Sequence, residues 1–209
     1  MELGFEFEQY AYARGARHIA GVDEVGRGPL AGPVTAAAVV LTQGAIPEGL
    51  NDSKKLSAAR REMLAREIMA RADWAIAHVW VEEIDRLNIL RASHVAMCRA
   101  LGALRAPADF ALVDGNLIPA DLPCAGEAII KGDGRCPSIA AASIIAKVAR
   151  DKIMVDLAQQ FPAYGWDRNA GYPTAAHLKA LSSYGVTPYH RRSFRPAHNI
   201  LCRDISASD

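Results

Sequence analysis

The chain has 209 residues and a mass of 22.5 kDa, with 24 Lys and Arg against 23 Asp and Glu, for a formal net charge of +1. This length suits one domain, or one domain with an appendage. A content of 51% hydrophobic and 22% charged residues excludes a wholly disordered chain, because there is enough apolar side chain to build a core.

Hydrophobic periodicity predicts the elements in order. Residues 17–23 (RHIAGVD) read as a short strand, and 34–41 (VTAAAVVL) as a second, with GRGPLAGP between them. So short a connection favours an antiparallel hairpin. A helix is expected from Ser57, a plausible N-cap, to about Arg71, with Glu62–Arg66 and Glu67–Arg71 pairs on its wet face and Met63, Leu64, Ile68 and Ala72 inward. Residues 74–81 (WAIAHVWV) read as a third strand. A helical stretch follows over 82–105, with Leu90, Cys98, Leu101 and Leu104 inward. Residues 109–113 (DFALV) and 127–131 (EAIIK) are strand-like. A long helix runs from Pro137 to about Gln160 on a stripe of Ile139, Ala142, Ala146, Ala149, Ile153 and Leu157. A short helix is expected over 174–183, and a basic, weakly patterned tail beyond Pro188. Paired strands followed by alternating helix and strand predict an α/β fold with a mixed sheet covered by helices. The expected division is a main domain over 1–160 and a C-terminal helical, basic segment over 161–209.

Cys98, Cys124, Cys136 and Cys202 form no CxxC pair and no zinc-finger spacing, which suits free thiols in a reducing compartment. The start, MELGFEFEQ, lacks the basic and apolar runs of a signal peptide, and no stretch approaches the ~18 apolar residues of a membrane span. A soluble cytoplasmic protein is expected.

Motifs for nucleophilic catalysis are missing: there is no GxSxG, and none of the six histidines belongs to an HExxH. Carboxylates stand out instead. Asp23 and Glu24 end the first strand, Asp114 ends FALV and precedes Gly115, and Asp133 lies between Gly132 and Gly134 after EAIIK. Ligand sites of α/β sheets gather at such strand ends. Clustered carboxylates raise one another's pKa unless a cation compensates, and Mg²⁺ or Mn²⁺ prefers oxygen donors. A pair of such ions suffices for phosphodiester hydrolysis without a histidine. Taken singly, each aspartate also fits an ordinary turn-former. Successive strand residues face opposite ways, so Asp23 and Glu24 share a site only if the strand ends or distorts, or if Glu24 acts through its carbonyl or a water.

The Gly26–Pro33 segment is not a dinucleotide loop, since prolines interrupt it and a strand follows. Gly26 and Gly28 allow close backbone approach, and Arg27 between them could meet a phosphate. Residues 53–71 hold six basic residues against two acidic ones, and 189–203 hold Arg191, Arg192, Arg195 and Arg203 with no acid. Two basic segments beside an acidic metal site suit a nucleic acid, although solvated surface charge is the plainer reading of each alone.

The runs IAGVDEVGRGPLAGPVTAAAVVL, NDSKKLS, LVDGN, KGDGRCPSIAAASIIAKVARD, GYPTAAHLKAL and HRRSF together resemble bacterial ribonuclease HII over roughly residues 17–196. The resemblance implies a ribonuclease H-like fold with a C-terminal helical extension. It implies an endonuclease that cuts RNA in RNA–DNA hybrids and incises 5′ to single ribonucleotides in duplex DNA, leaving 3′-hydroxyl and 5′-phosphate ends. It places the metal site on Asp23, Glu24, Asp114 and Asp133, with two Mn²⁺ or Mg²⁺ ions. It places the junction reader on Gly26, Arg27, Gly28 and Tyr172, and phosphate contacts on Lys54, Lys55 and Lys147. Pro173 stands where many relatives carry glycine. The related ribonuclease HIII has an extra N-terminal substrate-binding domain, and the about sixteen residues before the first strand disfavour that sibling. A monomer is expected, with no membrane partner. A non-catalytic hybrid-binding module of the same fold and a different two-metal nuclease, such as a junction resolvase, are the alternatives.

Overall fold

In the computed structural model, residues 3–42, 44 and 46–206 are described. The elements, in chain order, are α1 (Glu6–Ala13), β1 (Ile19–Val25), β2 (Val34–Val40), α2 (Ala58–Arg71), β3 (Asp73–Val79), α3 (Val81–Leu87), α4 (Ile89–Gly102), β4 (Phe110–Asp114), β5 (Ala125–Ile129), α5 (Pro137–Gln160), α6 (Trp166–Asn169), α7 (Ala175–Tyr184) and α8 (Arg195–Ser206). They fall into two compact units. The first holds residues 1–25, 35–78 and 93–148, and the second 26–34, 79–92 and 149–209.

The first unit carries a five-stranded sheet in the order β3-β2-β1-β4-β5. β1 and β2 pair antiparallel, as the short connection predicts, while β1–β4 and β4–β5 are parallel. The expected mixed sheet with helices is therefore what forms. β1 and β2 contain alanine, glycine and valine because both faces are covered: every residue of β2 is buried. At Gly21 of β1 even a methyl group would run into the backbone of Ser138 and Ile139, so the first turn of α5 lies against this strand. α5 is accordingly buried all round from Ile139 to Ala142 and again over Ile144, Ile145 and Ala146. The expected stripe is right for Ile139, Ala142, Ala146 and Leu157, while Ala149 and Ile153 are only half-buried.

Ser57 caps α2 by accepting from the Arg60 N–H. The helix buries Leu64, Ala65 and Ile68 against β2 and α5, each large side chain stabilising by about 1.5–3 kcal/mol. Met63 is exposed instead, and Ala65 takes the inward place assigned to it. Three further expectations change. The stretch 82–105 is two helices, broken at Asn88, whose φ of 68° is left-handed; Leu90 faces solvent and Cys98 is half-buried. β5 begins two residues before the predicted strand. The region beyond Pro188 contains α8, and a helix the pattern did not predict, α1, precedes β1. α1 contributes buried Glu8, whose carboxylate accepts from the N–H (3.0 Å) and hydroxyl (2.7 Å) of Ser138 and from the Cys136 thiol, capping the start of α5.

The second unit has its own core of Leu30, Met154, Leu157, Tyr164, Trp166 and Leu181, with Phe161 and Tyr189 packed against it. No helix among the described residues is long and apolar enough to cross a membrane.

Candidate active site

The parallel register decides the geometry. Val22 pairs with Val113, so Asp23 and Asp114 are the next residues on neighbouring strands, at their carboxyl ends. Adjacent strands lie about 4.8 Å apart, which puts the two carboxylates side by side. Asp114 also organises the turn that carries Asp133. Its Oδ1 accepts from the Gly132 N–H at 2.7 Å and, more weakly, from the Asp133 N–H at 3.4 Å. Lys131 enters that turn in a left-handed conformation. Gly132 suits the turn because a Cβ there would collide with Ile139.

The electrostatics agree with the register. Burial first, then the charges of Glu24 and Asp114, push the Asp23 carboxyl well above the usual range, against hydrogen bonds from the Ser143 hydroxyl and the Glu24 N–H. Burial, then Asp133, raise Asp114, opposed by the Gly132 and Asp133 N–H groups and by Lys54. The Lys54 ammonium lies 3.7 Å from Asp133. Burial acts to lower Lys54, but Asp133, Asp52, Asp23 and Asp114 outweigh it and raise it. The Lys54 segment is a short turn capped by Asp52 and pinned to α5 by a 2.9 Å hydrogen bond between the Ser53 and Ser143 hydroxyls.

The four expected carboxylates thus form one electrostatic cluster. β1 stays regular through Glu24, which pairs with Ala36, so Asp23 and Glu24 leave the strand on opposite faces. Among the described residues no three acidic, histidine or cysteine side chains are already drawn into a closed coordination shell. The donor set nevertheless suits a hard dication: it is all oxygen and carries more negative charge than Lys54 offsets. Lys55 is exposed and Lys147 half-buried.

Gly26, Arg27, Gly28 and Tyr172 belong to the second unit. Gly26 has a φ of 92°, and a Cβ there would strike the Arg150 side chain. Gly28 packs under Tyr172: a Cβ on it would lie 3.2 Å from the ring. Tyr172 is exposed, and its loop is fixed by the Leu30 N–H donating to the Gly171 carbonyl at 2.7 Å. Behind it, His177 Nδ1 lies 2.9 Å from the Tyr172 carbonyl, and His177 Nε2 meets both the Trp166 N–H and His190 at 3.1 Å.

Sequence reasoning did not single out Arg150 and set Arg191 in a basic tail suited to a nucleic acid or to solvent, whereas both are fully buried here. Arg191 instead donates to the carbonyls of Gly26, Arg27 and Gly32. Arg192 and Ser193 N–H groups are anchored on Asp85 at 2.9 Å. The signal for Arg150 was its position four residues after Ala146, on the buried phase of α5.

Comparison with known proteins bears out the fold. The ribonuclease H2 of Pyrococcus horikoshii superposes with a TM-score of 0.76 at 28% identity, over 90% of this chain and 98% of that one. Bst-RNase HIII, solved in complex with Mn²⁺, shares the fold with a TM-score of 0.69 at 20% identity, over 92% of this chain and 72% of that one. The sequence profile described as Ribonuclease HII matches residues 20–197. The Ribonuclease HII of Paracoccus denitrificans is 66% identical over 204 residues, 98% of this chain and 97% of that protein. The fold and the family match define a ribonuclease H-type nuclease, a divalent-metal-dependent endoribonuclease. Within that class the chain belongs to the ribonuclease HII family.

Proposed function

We propose that the chain hydrolyses the RNA strand of RNA–DNA hybrids and also incises 5′ to single ribonucleotides in duplex DNA, leaving 3′-hydroxyl and 5′-phosphate ends. The observation that carries this reading is the adjacency of Asp23 and Asp114 at strand ends, with the Asp133 turn hydrogen-bonded to Asp114. Two Mn²⁺ or Mg²⁺ ions would be held by Asp23, Asp114, Asp133 and Glu24. When bound, such ions acidify a water and neutralise charge building on the phosphate and the departing oxygen.

The protein's own groups do the rest. The Gly132 and Asp133 N–H groups keep Asp114 oriented, and Ser143 and the Glu24 N–H keep Asp23 oriented. Lys54 supplies a cation at the rim for a backbone phosphate. Choosing RNA over DNA requires recognising the 2′-hydroxyl. In this reading Gly26, Arg27 and Gly28, which follow β1 directly in sequence, bring their backbone to that hydroxyl, and the Tyr172 ring packs on the sugar at the junction.

Cleavage of an RNA–DNA hybrid by Asp23→Asn and Asp114→Asn tests the assignment. Both should lose at least about a hundredfold in rate, as expected when groups stabilising the transition state are removed. Rates like wild type in both variants would overturn it.

A further inference from the structure

Two guanidinium groups lie at the centre of the second unit with no exposed surface. Burial opposes their charge, and the carboxylates of Asp151 and Asp85 favour it. Burying a charge is unfavourable, and an apolar side chain of similar volume would avoid it. What the arginines do have is carbonyl oxygens. Arg150 donates to Pro33 at 2.8 Å, Ala170 at 3.0 Å and Ala31 at 3.1 Å. Arg191 donates to Gly26 at 2.5 Å, to Arg27 at 2.9 Å, and to Gly32 from both Nε (3.1 Å) and a terminal nitrogen (2.9 Å). Five of these six carbonyls lie within residues 26–33.

The peptide plane turns that pattern into an orientation. In a trans peptide the C=O of one residue and the N–H of the next point opposite ways, and no cis peptide bond occurs among the described residues. Holding the Gly26 and Arg27 carbonyls inward on Arg191 therefore turns the Arg27 and Gly28 N–H groups outward. Gly26 must be glycine for this: its φ is 92° and the Arg150 side chain fills the space of a Cβ. Burial pushes Arg191 down to about 9 and Arg150 to about 10, which leaves both charged at neutral pH.

The geometry points to Arg191 and Arg150 as positioning residues for ribonucleotide discrimination, acting through the carbonyls of the glycine segment to aim the Arg27 and Gly28 N–H groups at the 2′-hydroxyl. This rests on the reading of that turn given above. A planar fork with five donors can bind several carbonyls in fixed directions, whereas an ammonium cannot hold the same set. The clamp thus predicts that lysine preserves charge and fold but loses the aim.

The test uses the full chain carrying Arg191→Lys or Arg150→Lys, with folding verified by circular dichroism and melting. kcat/KM is measured on an RNA–DNA hybrid and on duplex DNA holding one ribonucleotide, where the hybrid offers many 2′-hydroxyls and the duplex only one. Arg191→Lys should cut the hybrid within about threefold of wild type and the single-ribonucleotide duplex at least about tenfold more slowly. Arg150→Lys should shift the ratio in the same direction. Equal proportional losses on both substrates, or an unchanged ratio, would make the arginines structural only and overturn the clamp while leaving the active-site reading intact. A wild-type chain that cuts neither substrate in Mn²⁺ or Mg²⁺ would overturn the site reading, and the clamp with it.

Discussion

Asp23 and Asp114 stand one step beyond the Val22–Val113 pair on neighbouring parallel strands, and each carboxyl is pushed up in part by a neighbouring charge: Asp114 on Asp23, Asp133 on Asp114. A folded-state carboxyl pKa raised above its unfolded value means that the folded protein binds the proton more tightly. Stability from such a group falls as pH rises above 3.8, so at neutral pH the charged cluster destabilises the metal-free protein. Asp23→Asn should therefore melt about 2–4 °C higher than wild type in EDTA while losing activity, the usual opposition between a charged site and stability. Added Mn²⁺ should stabilise wild type more than the variant. A lower melting point for the variant in EDTA would contradict this.

The buried histidine pair sets an acid limit. Burial, then repulsion from His177, pushes His190 down to about 3, and burial lowers His177 against its bonds to the Tyr172 and Gly171 carbonyls. Both are neutral when folded, whereas the unfolded chain takes up protons near pH 6.5. Their contribution is complete above that pH and shrinks as the pH falls, for His190 down to about 3. Between pH 6.5 and 5 the loss from His190 alone is on the order of 2 kcal/mol. Denaturant titrations at pH 7 and 5 should show a steeper pH dependence for wild type than for His190→Asn, which also separates this pair from Asp23 and Asp114, titrating the other way. Equal pH dependence would remove the histidines from the account.

Tyr172 and Gly28 form a second testable pair. Tyr172→Ala should weaken preference for the RNA-to-DNA junction by about tenfold while changing overall duplex binding far less. Gly28→Ala places a methyl group 3.2 Å from the ring, tight enough that Tyr172 must shift by a few tenths of an ångström. It should lower junction preference by a smaller factor. Parallel losses on every substrate would argue against a reading role.

Glu8 gives a prediction about stability alone. Glu8→Ala would leave the Ser138 N–H and hydroxyl without their carboxylate acceptor in a buried site, at a cost of about 1–3 kcal/mol. Chemical denaturation measures it, and a change below about 0.5 kcal/mol would show that the cap is replaced by another partner.

The strand-end aspartates were legible because short apolar strands mark their own ends, and several carboxylates at such ends together are harder to explain as turn-formers than any one of them. The antiparallel start and the bounds of α5 followed from connection length and from Pro137. Arg191 was hidden for a physical reason: a guanidinium beside another arginine reads as solvated charge, and only tertiary packing shows six carbonyls turned toward it and Arg150. Asn88 hid the break between α3 and α4, since an asparagine in a helical pattern does not announce a left-handed φ. Glu8 lies 130 residues from the Ser138 it caps, a distance no local pattern spans. The likeness to ribonuclease HII supplied roles for Tyr172 and the glycine turn that spacing alone did not.

The central claim is that the clustered carboxylates hold divalent ions that cut beside a ribonucleotide. The most direct measurement is cleavage of duplex DNA carrying one ribonucleotide, with Mn²⁺, Mg²⁺ or EDTA, followed by mapping of the product ends. The account predicts one cut on the 5′ side of the ribonucleotide, with 3′-hydroxyl and 5′-phosphate ends, only when a dication is present. Cleavage that persists in EDTA, or that falls as readily on an all-DNA duplex, would contradict it.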